Sequence, residues 1–150
     1  MAIQSVIKKI DRYLKRDNVE PLVVDFQNKG DLEAIVTHYN TPQNTFINAS
    51  DPAFCKPDEF PSIANMLDRF TTENKDFFVR EISSFYMLKG EKALTQELKE
   101  LLAMNVAGHV IILTYQCAEY LRCLIKNDKR LDSRICILEG TSTPDRKSFL

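Results

Sequence analysis

Glycine is scarce in this chain: there are four, at positions 30, 90, 108 and 140, and no two lie close together. A phosphate-cradling loop needs several, because backbone N–H groups must approach the phosphates closely. Neither G-x-x-x-x-G-K-[ST] nor G-x-G-x-x-G occurs. The turn Gln27-Asn28-Lys29-Gly30 stands where such a loop belongs and is too short to be one. Histidine is scarcer still. His38 and His109 are the two present, and neither has a Cys, Asp or Glu at ligand spacing on a defined helix. His38, late in a helical stretch, is expected to face the last carbonyls of that helix, and His109 to be a satisfied edge histidine. No metal and no cofactor is expected.

The cysteines are Cys55, Cys117, Cys123 and Cys136, with no C-x-x-C pair. Each lies in or beside an apolar segment, so reduced thiols in or near the core are expected. No G-x-S-x-G is present, and Ser83-Ser84 comes without an elbow glycine. Cys117 and His109 cannot pair as nucleophile and base, because one strand separates them by about 26 Å at 3.3 Å per residue. The charge is balanced, with 20 basic and 21 acidic residues, which removes any broad attraction to nucleic acid or anionic lipid. No apolar run approaches the ~18 residues of a membrane span. Lys8 and Lys9 break the one N-terminal segment that could resemble a secretory signal. The expected compartment is the cytoplasm, with no membrane partner.

What the chain does contain is a run of consecutive apolar residues, Val110 to Leu113, within Gly108–Gln116. A strand with one wet face alternates; an unbroken run fits a strand covered on both faces, as in a parallel sheet between helix layers. The β-branched isoleucines and the preceding glycine favour strand over buried helix. This is read as the middle strand.

Other elements alternate around it. Residues 2–17 carry Ile3, Val6, Ile7, Ile10 and Leu14 at helical spacing. Pro21 opens a strand over 22–26, and Asp31 is expected to cap a helix with Leu32, Ile35, Val36 and Tyr39 inward. A short strand over 45–49 precedes a connection over 50–60, whose prolines exclude helix or central strand. A helix with Ile63, Met66, Leu67 and Phe70 inward follows Pro61. Residues 77–82 form a third strand, trailed by an apolar patch at 85–88. A helix over 91–105 is expected to bury Leu94, Leu98, Leu101, Leu102 and Met104 and to expose Glu97 and Lys99. After the organising strand come a helix over 118–126, a charged turn over 127–132 and a strand over 134–139. The 150 residues thus predict an α/β fold: a three-layer, mostly parallel five-stranded sheet with helices on both faces, Rossmann-like or degenerate P-loop-like. Its outer strand order is open, with flavodoxin-like 2-1-3-4-5 as one arrangement. Residues 1–140 form the single expected domain. The polar tail 141–150 reads as the start of a linker to a missing C-terminal region.

In open α/β sheets ligands sit beyond the carboxyl ends of the strands. The low-specificity candidates there are Asp25, Asp51, Glu81 and Gln116. Asp51 and Glu81 could pair as carboxylates that hold magnesium, but acids at these positions also cap the helices that follow, and capping is the preferred reading. No catalytic residue is assigned.

From residue 58 onward the pattern resembles a known family. DEFPSI (58–63) leads into a helix, FFVREISSFYMLKG (77–90) into another, HVIILTYQ (109–116) is followed by AEYL, and RICILE (134–139) closes the series. This is similar to the N-terminal portion of the PglZ-type proteins of BREX phage-resistance systems. In that family the phosphatase-like domain lies further along the chain, and nothing here matches its metal motif. The resemblance therefore implies a non-catalytic N-terminal interaction domain of a larger bacterial defence protein, whose partners are other domains of the chain or subunits of a defence complex. Two alternatives stand beside it: a degenerate ATPase-like nucleotide-binding module lacking a Walker A loop, with Glu81 as the carboxylate after an apolar strand, and a nucleic-acid contact surface made by Lys8, Lys9, Arg12, Lys15 and Arg16.

Overall fold

The apolar run is a strand, and it is central. In a computed structural model that describes residues 2–17, 20–49, 75–82, 91–106 and 108–139, it forms β4 (His109–Tyr115). Before it come α1 (Ile3–Leu14), β1 (Leu22–Phe26), α2 (Lys29–Tyr39), β2 (Asn44–Asn48), β3 (Asp76–Arg80) and α3 (Glu91–Leu102); after it come α4 (Ala118–Asn127), a 3-10 helix (Lys129–Arg134) and β5 (Ile135–Leu138). The strand order is β2-β3-β4-β1-β5, and every described pair is parallel. The sheet is therefore not flavodoxin-like: β1 lies between β4 and β5, and β2 sits at the far edge. The connection 50–60, the helix after Pro61 and the patch 85–88 lie outside the described residues.

The unbroken run is explained by two cores. Val110 and Ile112 join Val23, Phe77, Val79, Leu98, Leu101, Leu121 and Leu124 on the face covered by α3 and α4. Ile111 and Leu113 join Val6, Ile10, Val24, Ile35, Tyr39 and Phe78 on the face covered by α1 and α2. Alternate side chains of a doubly covered strand enter two different cores, so the run from Val110 to Leu113 is apolar without a break. On the second face Tyr39 and Phe46 both stack on Phe78, with centroids 5.0 Å away in each case. The Tyr39 hydroxyl joins the two helices of that face, lying 3.1 Å from the Ile7 carbonyl and 2.8 Å from Asp11 Oδ1.

Local corrections each have a cause. α2 begins two residues before Asp31, because extended Asn28 is the cap and its Oδ1 accepts from Gly30 N at 2.7 Å. Asp31 instead lies in the first turn, where a carboxylate meets the positive helix end. Asn28→Ala is expected to lower stability by about 1 kcal/mol, read as a shifted urea midpoint at unchanged slope. Glu97 is buried, not outward: it lies three residues after Leu94 and four before Leu101, on the stripe that faces the sheet. Cys117 and Cys136 are buried, but Cys123 is exposed, since α4 turns Leu121 and Leu124 inward and leaves position 123 outside; Cys55 lies outside the described residues. The charged turn is a 3-10 helix, capped by Asp128 Oδ1 accepting from Arg130 N at 3.1 Å. His38 packs edge-on against Tyr39, with centroids 4.7 Å apart.

His109 is satisfied at the start of its strand, as expected; the strand is the central one, so the residue does not lie on an edge strand. Its Nδ1 lies 2.7 Å from Asp76 Oδ1 on β3, and its Nε2 lies 2.5 Å from the Arg16 carbonyl beyond α1. Tyr13 meets the same ring edge-on at 5.2 Å, and its hydroxyl donates to the Glu20 carbonyl at 2.7 Å. The end of α1 is thereby tied to the amino end of the sheet. No helix of the described residues is long and apolar enough to cross a membrane.

Candidate functional site

The neighbours β1 and β4 send their chains to opposite faces: β1 leads into α2 on one, β4 into α4 on the other. Such a divergence opens a crevice beyond the carboxyl ends, the usual ligand position of an open α/β sheet. Asp25 and Thr114 are directly paired across it.

Asp25 is fully buried. Its Oδ1 accepts from the Thr114 hydroxyl at 2.6 Å and from Cys117 N at 3.0 Å, and its Oδ2 accepts from Gln27 Nε2 at 2.5 Å. Cys117 is the residue at the start of α4 and brings no side-chain cap of its own. Asp25 therefore pins the turn that leads from the neighbouring strand into α4; it does not cap the helix that follows its own strand, where Asn28 is the cap. The enclosure has an electrostatic consequence: burial raises the Asp25 carboxyl above its ordinary 3.8, opposed by the hydrogen bonds from Thr114, Cys117 and Gln27 and by the charge of Arg122. Burial likewise pushes the Cys117 thiol up to about 12, with the Asp25 charge adding to it. A thiol so protected is a poor nucleophile at neutral pH.

Gln116 follows β4 with φ 55°, and Glu81 follows β3 with φ 66°. Each left-handed turn at a non-glycine residue costs of order 1–2 kcal/mol. At Gln116 the cause is visible: its N–H continues the sheet, donating to the Phe26 carbonyl at 2.7 Å, and the chain must then reverse into α4 within two residues. Val79 and Val23 both register with Ile112, so Glu81, two residues on, lies in the row of Thr114 and Asp25. Sequence reasoning named Asp25, Glu81 and Gln116, and the structure brings them to this end of adjacent strands. Glu81 and Gln116 are exposed and Asp25 is not. Asp51, and with it the proposed acidic pair, lies outside the described residues. Gln27 and Cys117 were missed as partners of Asp25: the Cys117 contact spans the β1–β4 junction and has no spacing signature, and Gln27, two residues on, pairs with Asp25 only because its side chain folds back at the end of β1. Among the described residues, no three of His, Cys, Asp and Glu converge as a metal set.

Compared with known proteins, residues 4–149 match the profile of a Domain of unknown function (DUF7864). The chain belongs to this family. No curated protein matches it, and no solved structure does.

Proposed function

We propose that this DUF7864 domain is a non-catalytic interaction module that docks other domains of its own chain or subunits of a larger assembly. The observation that carries the reading is the internal bonding of Asp25 at the crevice. One N–H at each of the two chain reversals, Gly30 N in the first turn of α2 and Cys117 N just before α4, is engaged by the chain's own Asn28 and Asp25. Both oxygens of Asp25 hold internal donors, so this carboxylate supports the turn and is not presented to a ligand. Docking has a backbone route, since among the described residues β2 and β5 end the sheet, and edge strands accept a further strand. The larger protein is proposed to be a bacterial, PglZ-type defence protein; the support for that is the residue pattern over 58–139.

A second reading, a degenerate ATPase-type module, draws on Glu81, an exposed acid in a left-handed turn at the end of β3. The two readings separate in a pair of measurements. Light scattering on mixtures with the purified products of neighbouring genes is expected to yield a stoichiometric complex, and Mg·ATP is expected to be left unhydrolysed. ATP turnover that Glu81→Gln removes would overturn the first reading and establish the second.

A further inference from the structure

The amino end of the sheet, opposite the crevice, holds two adjoining cavities of about 490 and 390 Å³ that share Glu20, Ser133 and Arg134. Both are within the size range of small-ligand pockets. The side chain between them is engaged: Arg134 Nε lies 3.3 Å from Glu20 Oε2, and its Nη2 donates to the Pro21 carbonyl at 3.3 Å and to the Leu102 carbonyl. In the larger cavity Asp128 is held by Arg130 through two contacts of 2.9 Å. Both lining acids are thus already paired with arginines. Lys9, Arg12 and Arg16 line the smaller cavity, and no ion pair to any of them is seen among the described residues.

Those cations sit at i, i+3 and i+7 of α1 and its continuation, on one face. Like charges at such spacing destabilise a helix by a few tenths of a kcal/mol per pair. Here they gather at a concavity in a chain whose overall charge is −1. Lys8 and Lys15 do not line either cavity. A duplex surface distributes its cations over a broad face to match phosphates along a backbone, whereas these converge on a small hollow. Insertion into lipid is disfavoured as well, because Val6 and Ile10, the apolar side of α1, are fully buried against the sheet.

We propose that the paired cavities bind a small phosphorylated ligand with an apolar or aromatic body. The phosphoryl groups lie against Lys9, Arg12 and Arg16. The body crosses Arg134 and rests on Leu102, Ala103, Leu124 and Leu131 in the larger cavity. Helix polarity sets this orientation. α3 and α4 both end at the larger cavity, and each helix end carries roughly half a negative charge; of the cations lining it besides Arg134, Lys99 stands in the last turn of α3, opposite that helix end's charge, and Arg130 is held by Asp128. α1 ends near the smaller one, where three full positive charges outweigh it. This site is independent of the carboxyl-end crevice, so its test stands or falls separately from the proposed docking role.

Calorimetric titration of the full chain without divalent metal, using pyrophosphate and ADP as probes, tests it. Saturable binding of both is expected, with ADP tighter. Arg12→Glu and Arg16→Glu are each expected to weaken both probes by about tenfold or more, while Lys8→Glu and Lys15→Glu change them by no more than about twofold. Ala103→Trp, at an exposed position of the larger cavity, is expected to remove the advantage of ADP and leave pyrophosphate unchanged. Melting curves check each variant's fold, and Arg12→Ala and Arg16→Ala repeat the test without charge reversal. No saturable heat up to millimolar probe, or affinities that the Arg12 and Arg16 variants leave unaltered, overturns the proposal. Tighter binding of a single-stranded oligonucleotide, with a steep salt dependence, also overturns it and indicates a nucleic-acid surface.

Discussion

Gly108→Ala is expected to destabilise the domain by about 3 kcal/mol or more. A Cβ at this position would collide with Lys75 O and would lie 2.6 Å from Lys75 N and 2.9 Å from Lys75 C. All three are backbone atoms, so no side chain can swing aside. The contact is part of the sheet, because the neighbouring His109 N donates to Lys75 O at 3.0 Å and Asp76 registers with His109. Relief of the clash therefore pries β3 from β4 at the point where the central strand begins. His109 would be displaced with it, together with its contacts to Asp76 and to the Arg16 carbonyl. The glycine is required here by close approach of two backbones. Equilibrium urea unfolding measures the effect, and a variant within about 0.5 kcal/mol of the natural chain, the range of ordinary surface changes, would show that the approach is looser than described.

The second large effect is at Asp25. Asp25→Ala removes the acceptor of the Thr114 hydroxyl and of Cys117 N, both buried. An unsatisfied buried donor costs about 1–3 kcal/mol, so a loss of about 2–6 kcal/mol is expected for the pair, toward the lower end because the Thr114 hydroxyl also reaches the Val24 carbonyl at 3.5 Å. Asp25→Asn is different. Its Oδ1 retains both donors, and its amide mimics the protonated carboxyl opposite Gln27, whose own amide can turn to accept. Because burial raises the Asp25 pKa above 3.8, the folded chain binds a proton that the unfolded chain has released. The stability associated with that proton is fully present below the unfolded pKa and is lost as pH rises through the folded one. Asp25→Asn does not titrate. The stability difference between Asp25→Asn and the natural chain should therefore move in favour of the asparagine variant as pH rises through that window, then level off. A difference independent of pH would refute a raised carboxyl at this position.

The two residues differ in how visible they are in the sequence. Gly108 precedes an unbroken apolar run, so a special backbone position there was legible, although the partner that demands it, Lys75, lies outside any local pattern. Asp25 was legible as a strand-end acid and as a candidate ligand. Its burial was not, since a carboxylate amid Leu22, Val23, Val24 and Phe26 reads as an outward exception. It is tolerated inside because donors from Thr114 and Cys117 across the β1–β4 junction, and from Gln27 at the end of its own strand, converge on it. The basic face of α1 was also readable. Its partition, with Lys9, Arg12 and Arg16 on a cavity and Lys8 and Lys15 away from it, needed the packing of α1 against the sheet.

By itself the sequence determined the class of fold and the identity of its middle strand. Hydrophobic periodicity is a local signal, and the run from Val110 to Leu113 has one stable use, a strand between two helix layers. Tertiary structure alone decided the strand order β2-β3-β4-β1-β5, the closure of the crevice by Asp25 and the cavities at the opposite end. Each depends on residues far apart in the chain meeting across a parallel sheet, and neither composition nor spacing records which strand lies beside which.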